Sequence, residues 1–344
     1  MTQLQRILTG GLFIFFLVSC GSASSGAPKS ATVTETPSAL VGATAEVPRP
    51  TPTAAALGTI ENPLILALPP GSSSNAERVD GGKALAEQLS EITGYTFVVV
   101  SPDSYAKLID AMGKGNAHIA VLPEYAYALA YKREYANAAF ASLKLGEKAY
   151  GAQFIARKDA GFTPYFDSQL KENTADAVTA LSQFQDKKPC WSDETSPSGY
   201  VIPSGILAHN AIALRPPAFV QGQPTVVRAV YVGGICDFGA TYIDARSFPA
   251  ILDEYPDTLE RVKVIWRIPP VIPYETFVIA HNLSPEVIQA IDDAMFRISG
   301  MQAGRQVLGQ AYGIEDWERI TDTFYDGFRL YLDASGVELE SLVN

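Results

Sequence analysis

Leu64-Ile65-Leu66-Ala67-Leu68, closed by Pro69-Pro70-Gly71, leads into Ala76 to Thr93 and then into Thr96-Phe97-Val98-Val99-Val100. This stretch alternates strand and helix patterns. The first and last runs are short, apolar and bounded by turn residues, as buried strands are. Between them, Val79, Leu85, Leu89 and Ile92 fall on one face at helical spacing, and Gly94 stops the helix. The alternation continues outward. A helix capped by Ser104 runs from Tyr105 to Met112, Ile119 to Leu122 is a third strand, and Glu124 to Lys132 a third helix. Near-continuous apolar strands between helices indicate an α/β fold built on a parallel sheet covered on both faces.

The same alternation fills the second half. Ala152 to Ala156 reads as a strand leaving the first lobe. Thr174 is expected to cap a helix reaching Phe184, and Lys188 to Trp191 is a strand before a helix at about Val201 to His209. Pro224 to Tyr231 is a helix stopped by Gly233-Gly234. Strands follow at Ile235 to Thr241, Val262 to Trp266 and Thr276 to Ala280. Ser284-Pro285-Glu286 starts a helix with an N-cap hydroxyl, a first-turn Pro and an acid at the dipole. No internal repeat is visible. Two α/β lobes joined by crossings near residues 156 and 270 would enclose a hinged cleft, since open α/β sheets bind ligands beyond the carboxyl ends of their strands. The boundaries this implies are lobe 1 from 60 to 156, lobe 2 from 157 to 270, and a return to lobe 1 with C-terminal helices over 271–344.

The N-terminus reads as an address. Ile7 to Val18 is apolar but short of the roughly 20 residues a membrane span needs, so residues 1–20 are expected to be a signal peptide. It ends in Leu17-Val18-Ser19-Cys20-Gly21, which matches the bacterial lipobox and makes Cys20 the expected lipidation site. Residues 21–59, rich in Ser, Thr, Ala, Gly and Pro, are expected to be a disordered tether between lipid and body. The expected location is extracytoplasmic, anchored to the outer face of the cytoplasmic membrane. In that compartment Cys190 and Cys236 are either two buried thiols or a disulfide. Both end strands of the same lobe, which favours the bridge.

The formal charge of −11 argues against nucleic acid as a partner, because phosphate backbones are bound by basic faces. The chain lacks the phosphate-loop, zinc-protease, nucleophile-elbow and C-x-x-C signatures. Its three histidines, His118, His209 and His281, are scattered without partners at metal-ligand spacing. No catalytic constellation, metal or cofactor is expected. The informative segment is Asp193-Glu194-Thr195-Ser196-Pro197-Ser198-Gly199-Tyr200, between a strand and a helix. Hydroxyls and unsatisfied N–H groups at a helix start suit an anion, and equally suit an ordinary Ser cap with a Gly turn.

Several segments in order resemble the phosphate/phosphite/phosphonate-type periplasmic binding proteins of ABC importers, over roughly residues 62 to 300. They are Ser104-Tyr105-Ala106, Lys114 to Leu122 continuing to Tyr127-Ala128-Leu129-Ala130, Gly146 to Tyr150, Ser196-Pro197-Ser198-Gly199-Tyr200, and Gly234 to Ala240. The resemblance implies a type II periplasmic-binding-protein-like fold. It also implies a non-enzymatic, monomeric protein that hands a small phosphorus oxyanion to a membrane permease. Ser196 and Ser198 would donate to the oxyanion, Tyr105, Tyr127 and Tyr150 would close over it from the first lobe, and Asp237 would stand at the far side. Pro197 departs from the family's Thr and removes two donors. Gln223 stands where the family often has a donating His.

None of the expected site residues is Lys or Arg, while Glu124 and Asp237 are both expected cleft acids. That balance favours a ligand bringing its own donor, either a protonated oxyanion or a zwitterionic aminophosphonate. A same-fold binder or sensor for an organic amine or nucleobase precursor is the alternative, and a secreted enzyme using Glu124 with Asp237 a further one. The Gly71 to Asn75 loop is expected at the cleft edge.

Overall fold

The computed structural model describes residues 55–343. The expected signal peptide, Cys20 and the tether as far as residue 54 lie outside the described residues. The tether's last residues do not fit the expectation. Thr59 and Asn62 side chains bond back to the carbonyls of Ala56 and Ala55, and Leu57 packs on the core. Residues 55–59 are therefore part of the folded body.

Two sheets form the body. The first is six-stranded, in the order Phe97–Val100, Leu64–Ala67, Ile119–Leu122, Thr276–Ala280, Ala136–Ser142, Trp317–Arg319. Its first three strands are parallel. Thr276–Ala280 runs antiparallel to both neighbours, so the expected parallel sheet is mixed. This strand returns from the other lobe and enters from the opposite end. The second sheet has five strands, in the order Ala218–Phe219, Pro189–Trp191, Phe238–Tyr242, Ala149–Arg157, Val262–Pro273. Numbered within its own lobe, each sheet reads second, first, third, incoming strand, fourth. The topology thus repeats although the sequence does not.

The crossings differ from those expected. Ala149–Arg157 belongs to the second sheet, between Phe238–Tyr242 and Val262–Pro273, so the exit from the first lobe lies at residues 143–148, not near 156. A strand buried on both faces carries no mark of which sheet it joins. The return lies between Pro273 and Thr276. The two crossings run side by side, tied by Ser142 N–H to Glu275 C=O at 2.9 Å and Tyr274 N–H to Lys148 C=O at 3.1 Å. The C-terminal helix Asp326–Ser335 packs on Ile202–His209 of the second lobe, so the chain does not end wholly on lobe 1.

Local chemistry sets the element ends. Asn75 Oδ1 accepts the Arg78 N–H at 3.1 Å and starts helix Ala76–Thr93. Ser104 caps Tyr105–Gly113 in the same way at 3.2 Å. Thr174 does not cap its helix. Asp176 does, accepting the Thr179 N–H at 2.8 Å, because a carboxylate two residues later is the better acceptor. The strand expected from Ile235 begins only at Phe238, after Gly233 and Gly234, whose φ of 79° and 86° no strand accommodates. Cys190 and Cys236 are bonded, with Cα atoms 5.5 Å apart. The second lobe's core is aromatic: Phe184 stacks on Phe238 at 4.0 Å, with Phe154 and Trp191 around them.

Candidate ligand-binding cleft

A cavity of about 460 Å³ opens between the lobes where the strands of both sheets end. Three groups of residues line it. The first lobe supplies Glu124. The crossings supply Lys144, Tyr274 and Glu275. The second lobe supplies Tyr150, Ser198 and Tyr242.

Glu124 is the first residue of helix Glu124–Lys132, after Pro123 ends the approach from strand Ile119–Leu122. Burial pushes its carboxyl up to about 7. The nearby Glu275 charge adds to this, and its own N–H and Lys144 oppose it. A carboxyl of this kind populates both forms at neutral pH: protonated, it can donate to an oxyanion, and ionised, it can accept from a donor on the ligand. Glu275 is fully engaged. Lys144 Nζ lies 3.1 Å from one of its oxygens, and Ser142 Oγ donates to the other at 3.1 Å. The Lys144 ammonium also sits 4.6 Å above the Tyr274 ring, which stacks on Tyr150 at 5.2 Å. Burial, with the Glu124 charge next, raises the Tyr150 phenol. It stays a neutral donor.

The anion-type loop is held from below. Ser196 Oγ accepts the Gly199 N–H at 3.1 Å, starting a wide turn over Pro197–Val201 that continues as helix Ile202–His209. Gln223 Nε2 donates to Ser196 Oγ at 3.2 Å and to Ser198 Oγ at 2.9 Å, while its Oε1 accepts the Tyr242 N–H at 2.7 Å. Both amide protons are thereby used. Gln223 does not donate to a ligand as a His would; it holds the Ser196 and Ser198 hydroxyls as acceptors, with Ser198 facing the Tyr150 phenol. Pro197 has no N–H, so the turn's remaining free backbone donor, among the described residues, is Ser198 N–H. Gly199 is obligatory, since a Cβ there would lie 2.0 Å from Ser192 Oγ.

Of the residues expected from sequence, Glu124, Tyr150 and Ser198 meet in the cleft, with Ser196, Pro197 and Gln223 forming the loop and its support. Tyr105 does not line the cavity. It stands at its margin, its phenol raised by burial and by the charges of Glu275 and Glu124. Tyr127 is a correction. It is wholly buried, donates to Asp322 and accepts the Ala138 N–H at 3.0 Å. Three residues after Glu124 it points down the helix into the core instead of across its start.

Asp237 is a second correction. It precedes strand Phe238–Tyr242, whose other end supplies Tyr242 to the cleft, so it sits about 17 Å away at ~3.3 Å per residue. There it pairs with Arg215 and accepts the Lys188 N–H at 2.7 Å. The cleft acids are Glu124 and Glu275. The expectation of a cleft without Lys or Arg also fails, because Lys144 lies in it. Lys144, Tyr274 and Glu275 were not singled out from the sequence. The signal available was their place beside Gly146 and after Pro273, at the crossings that floor such a cleft. The Gly71 to Asn75 loop is occupied locally: Asn75 caps its helix and Ser73 N–H bonds Ser101 Oγ at 3.0 Å.

The family model described as the phosphonate periplasmic substrate-binding protein of ABC transporters matches residues 71–325. The phosphate-import protein PhnD of Mycolicibacterium smegmatis is 24% identical over 273 residues, covering 74% of this chain and 80% of that one. Among solved structures, XAC2383 from Xanthomonas citri bound to chloride ion superposes with a TM-score of 0.53 at 15% identity, over 81% of this chain and 98% of that one. Fold, cleft and family match agree, and the chain belongs to the phosphonate-type periplasmic substrate-binding proteins of ABC transporters.

Proposed function

We propose that this chain captures a small phosphorus oxyanion bearing its own proton or ammonium group, and delivers it to an ABC permease by closing its two lobes. One observation carries the reading. The cleft sets the Ser198 hydroxyl and N–H and the Tyr150 phenol opposite two carboxylates, and its single lysine is already paired with one of them. Neutral donors suit the phosphoryl oxygens. An unpaired acid such as Glu124 suits a donor on the ligand and disfavours a bare dianion. The name of the mycobacterial relative, a phosphate-import protein, is consistent with this class.

Closure follows from the distribution of these groups. Glu124 belongs to one lobe and Ser198 to the other, so a ligand touching both favours the closed state by its differential contacts. A lipid anchor at Cys20, a tether to the folded body and a monomeric protein complete the proposal. An acid–base pair of Glu124 and Asp237, on which an enzymatic reading depends, is separated by the length of a strand.

The test is calorimetric titration of the protein with phosphate, phosphite, methylphosphonate, 2-aminoethylphosphonate and sulfate. Tight binding of one phosphorus compound and none of sulfate is expected. Sulfate bound equally well would overturn the donor argument, and silence with all five would transfer the cleft to a small organic amine held by its rings and acids.

A further inference from the structure

The cleft walls share a support that the two crossings do not provide. Helix Glu124–Lys132 begins with the cleft acid, and helix Ile202–His209 continues from the turn that carries Ser198. Both pack on one C-terminal segment. On the first-lobe side, Asp322 accepts from the Tyr127 phenol, and the buried Tyr325 hydroxyl bonds Thr276, the residue after Glu275. Arg329 locks this root with 2.9 and 2.7 Å bonds to the two Asp322 oxygens and 2.8 Å to Asp326. Its guanidinium lies 4.5 Å above the Tyr131 ring, and the buried Phe328 meets Tyr125 at 5.8 Å. Tyr125, Tyr127 and Tyr131 all stand on the Glu124 helix.

On the second-lobe side the approach is backbone to backbone. A Cβ at Gly205 would lie 1.8 Å from the Tyr331 carbonyl oxygen, and His209 meets the Tyr331 ring edge-on at 5.8 Å. Such close packing exists only because position 205 has no side chain. We propose that the segment Asp322–Leu342 is a strap that sets the spacing between Glu124 and Ser198 across the cleft, with Gly205 and Arg329 as its positioning residues. A strap of this kind narrows the range of opening. It reduces the ordering a ligand must impose, which is preorganisation of the site. The inference holds whatever ligand the cleft takes.

Hydrogen exchange on the full, ligand-free chain tests it in Gly205→Ala and Arg329→Lys. The lysine keeps the charge but loses the fork that grips Asp322 and Asp326 together. In both variants, exchange is expected to accelerate about tenfold at the start of the Glu124 helix and in the Ser196–Ile202 turn, with helix Ala76–Thr93 unchanged. Acceleration confined to residues 322–335, or spread evenly over the molecule, overturns the proposal. If the methyl at 205 prevents folding, Arg329→Lys decides alone.

Discussion

Ser198 is the residue on which the cleft's affinity should turn. It is almost wholly buried yet lines the cavity, and Gln223 holds its hydroxyl as an acceptor, facing the Tyr150 phenol. Ser198→Ala should weaken ligand binding about 10- to 100-fold, the loss of one hydrogen bond to a charged group, with little change in melting temperature. Asp237→Ala should do the reverse. It removes a half-exposed ion pair with Arg215 and should leave calorimetric affinity unchanged while costing under about 1 kcal/mol of stability.

Glu124 gives a pH signature. Its folded pKa is raised to about 7 from 4.5, so between those values the folded state holds more protons than the unfolded one. Stability conferred on the wild type therefore falls as pH rises through that window. Glu124→Gln should match the wild type near pH 4 and exceed it at pH 8 by about 3 kcal/mol in denaturant titrations. Oxyanion affinity should fall in the wild type as pH rises past 7 and stay flatter in the variant. Identical pH profiles for the two proteins would remove Glu124 from the site.

At the scale of elements, the sequence was most legible where caps and periodicity coincide. Ser104 and Ser284 each start a helix in the place their side-chain chemistry indicates. Strand Ala136–Ser142 escaped because Ala-Asn-Ala-Ala-Phe-Ala-Ser has neither β-branched residues nor alternation, and its place is fixed by its neighbours in the sheet. The turn at Ser196–Tyr200 was readable because its cap, Ser196 Oγ accepting the Gly199 N–H, is local. Gly199→Ala should destroy it, through the 2.0 Å approach to Ser192 Oγ, with loss of binding and a clear fall in melting temperature. The Cys190–Cys236 bond closes a separation of 46 residues behind this turn. Its reduction should lower stability by about 2–4 kcal/mol with little effect on affinity, because it lies at the end of the sheet away from the cleft.

At the scale of the whole molecule, two α/β lobes with a cleft were legible from the alternation of strands and helices, but sheet membership was not. Ala152 to Ala156 is buried on both faces and would be so in either sheet, so the sequence places the crossing one strand late. That single displacement hid Lys144 and Glu275, while Asp237 entered through the resemblance of Gly234 to Ala240, a motif match that carries no information on which end of the strand faces the cleft. Residues gathered by long-range topology leave no local pattern. The repeated strand order of the two lobes is likewise absent from the sequence, because shared topology constrains burial and direction, not residue identity.

On the proposed function, a phosphorus oxyanion bridges the Ser198 turn of one lobe and Glu124 of the other. Calorimetry of 2-aminoethylphosphonate, methylphosphonate, phosphite and phosphate against wild type, Ser198→Ala and Glu124→Gln tests it most directly. Tight binding of one of these compounds is expected, weakened about tenfold or more by Ser198→Ala, with a pH dependence that is smaller in Glu124→Gln. Equal affinity in all three proteins would contradict it.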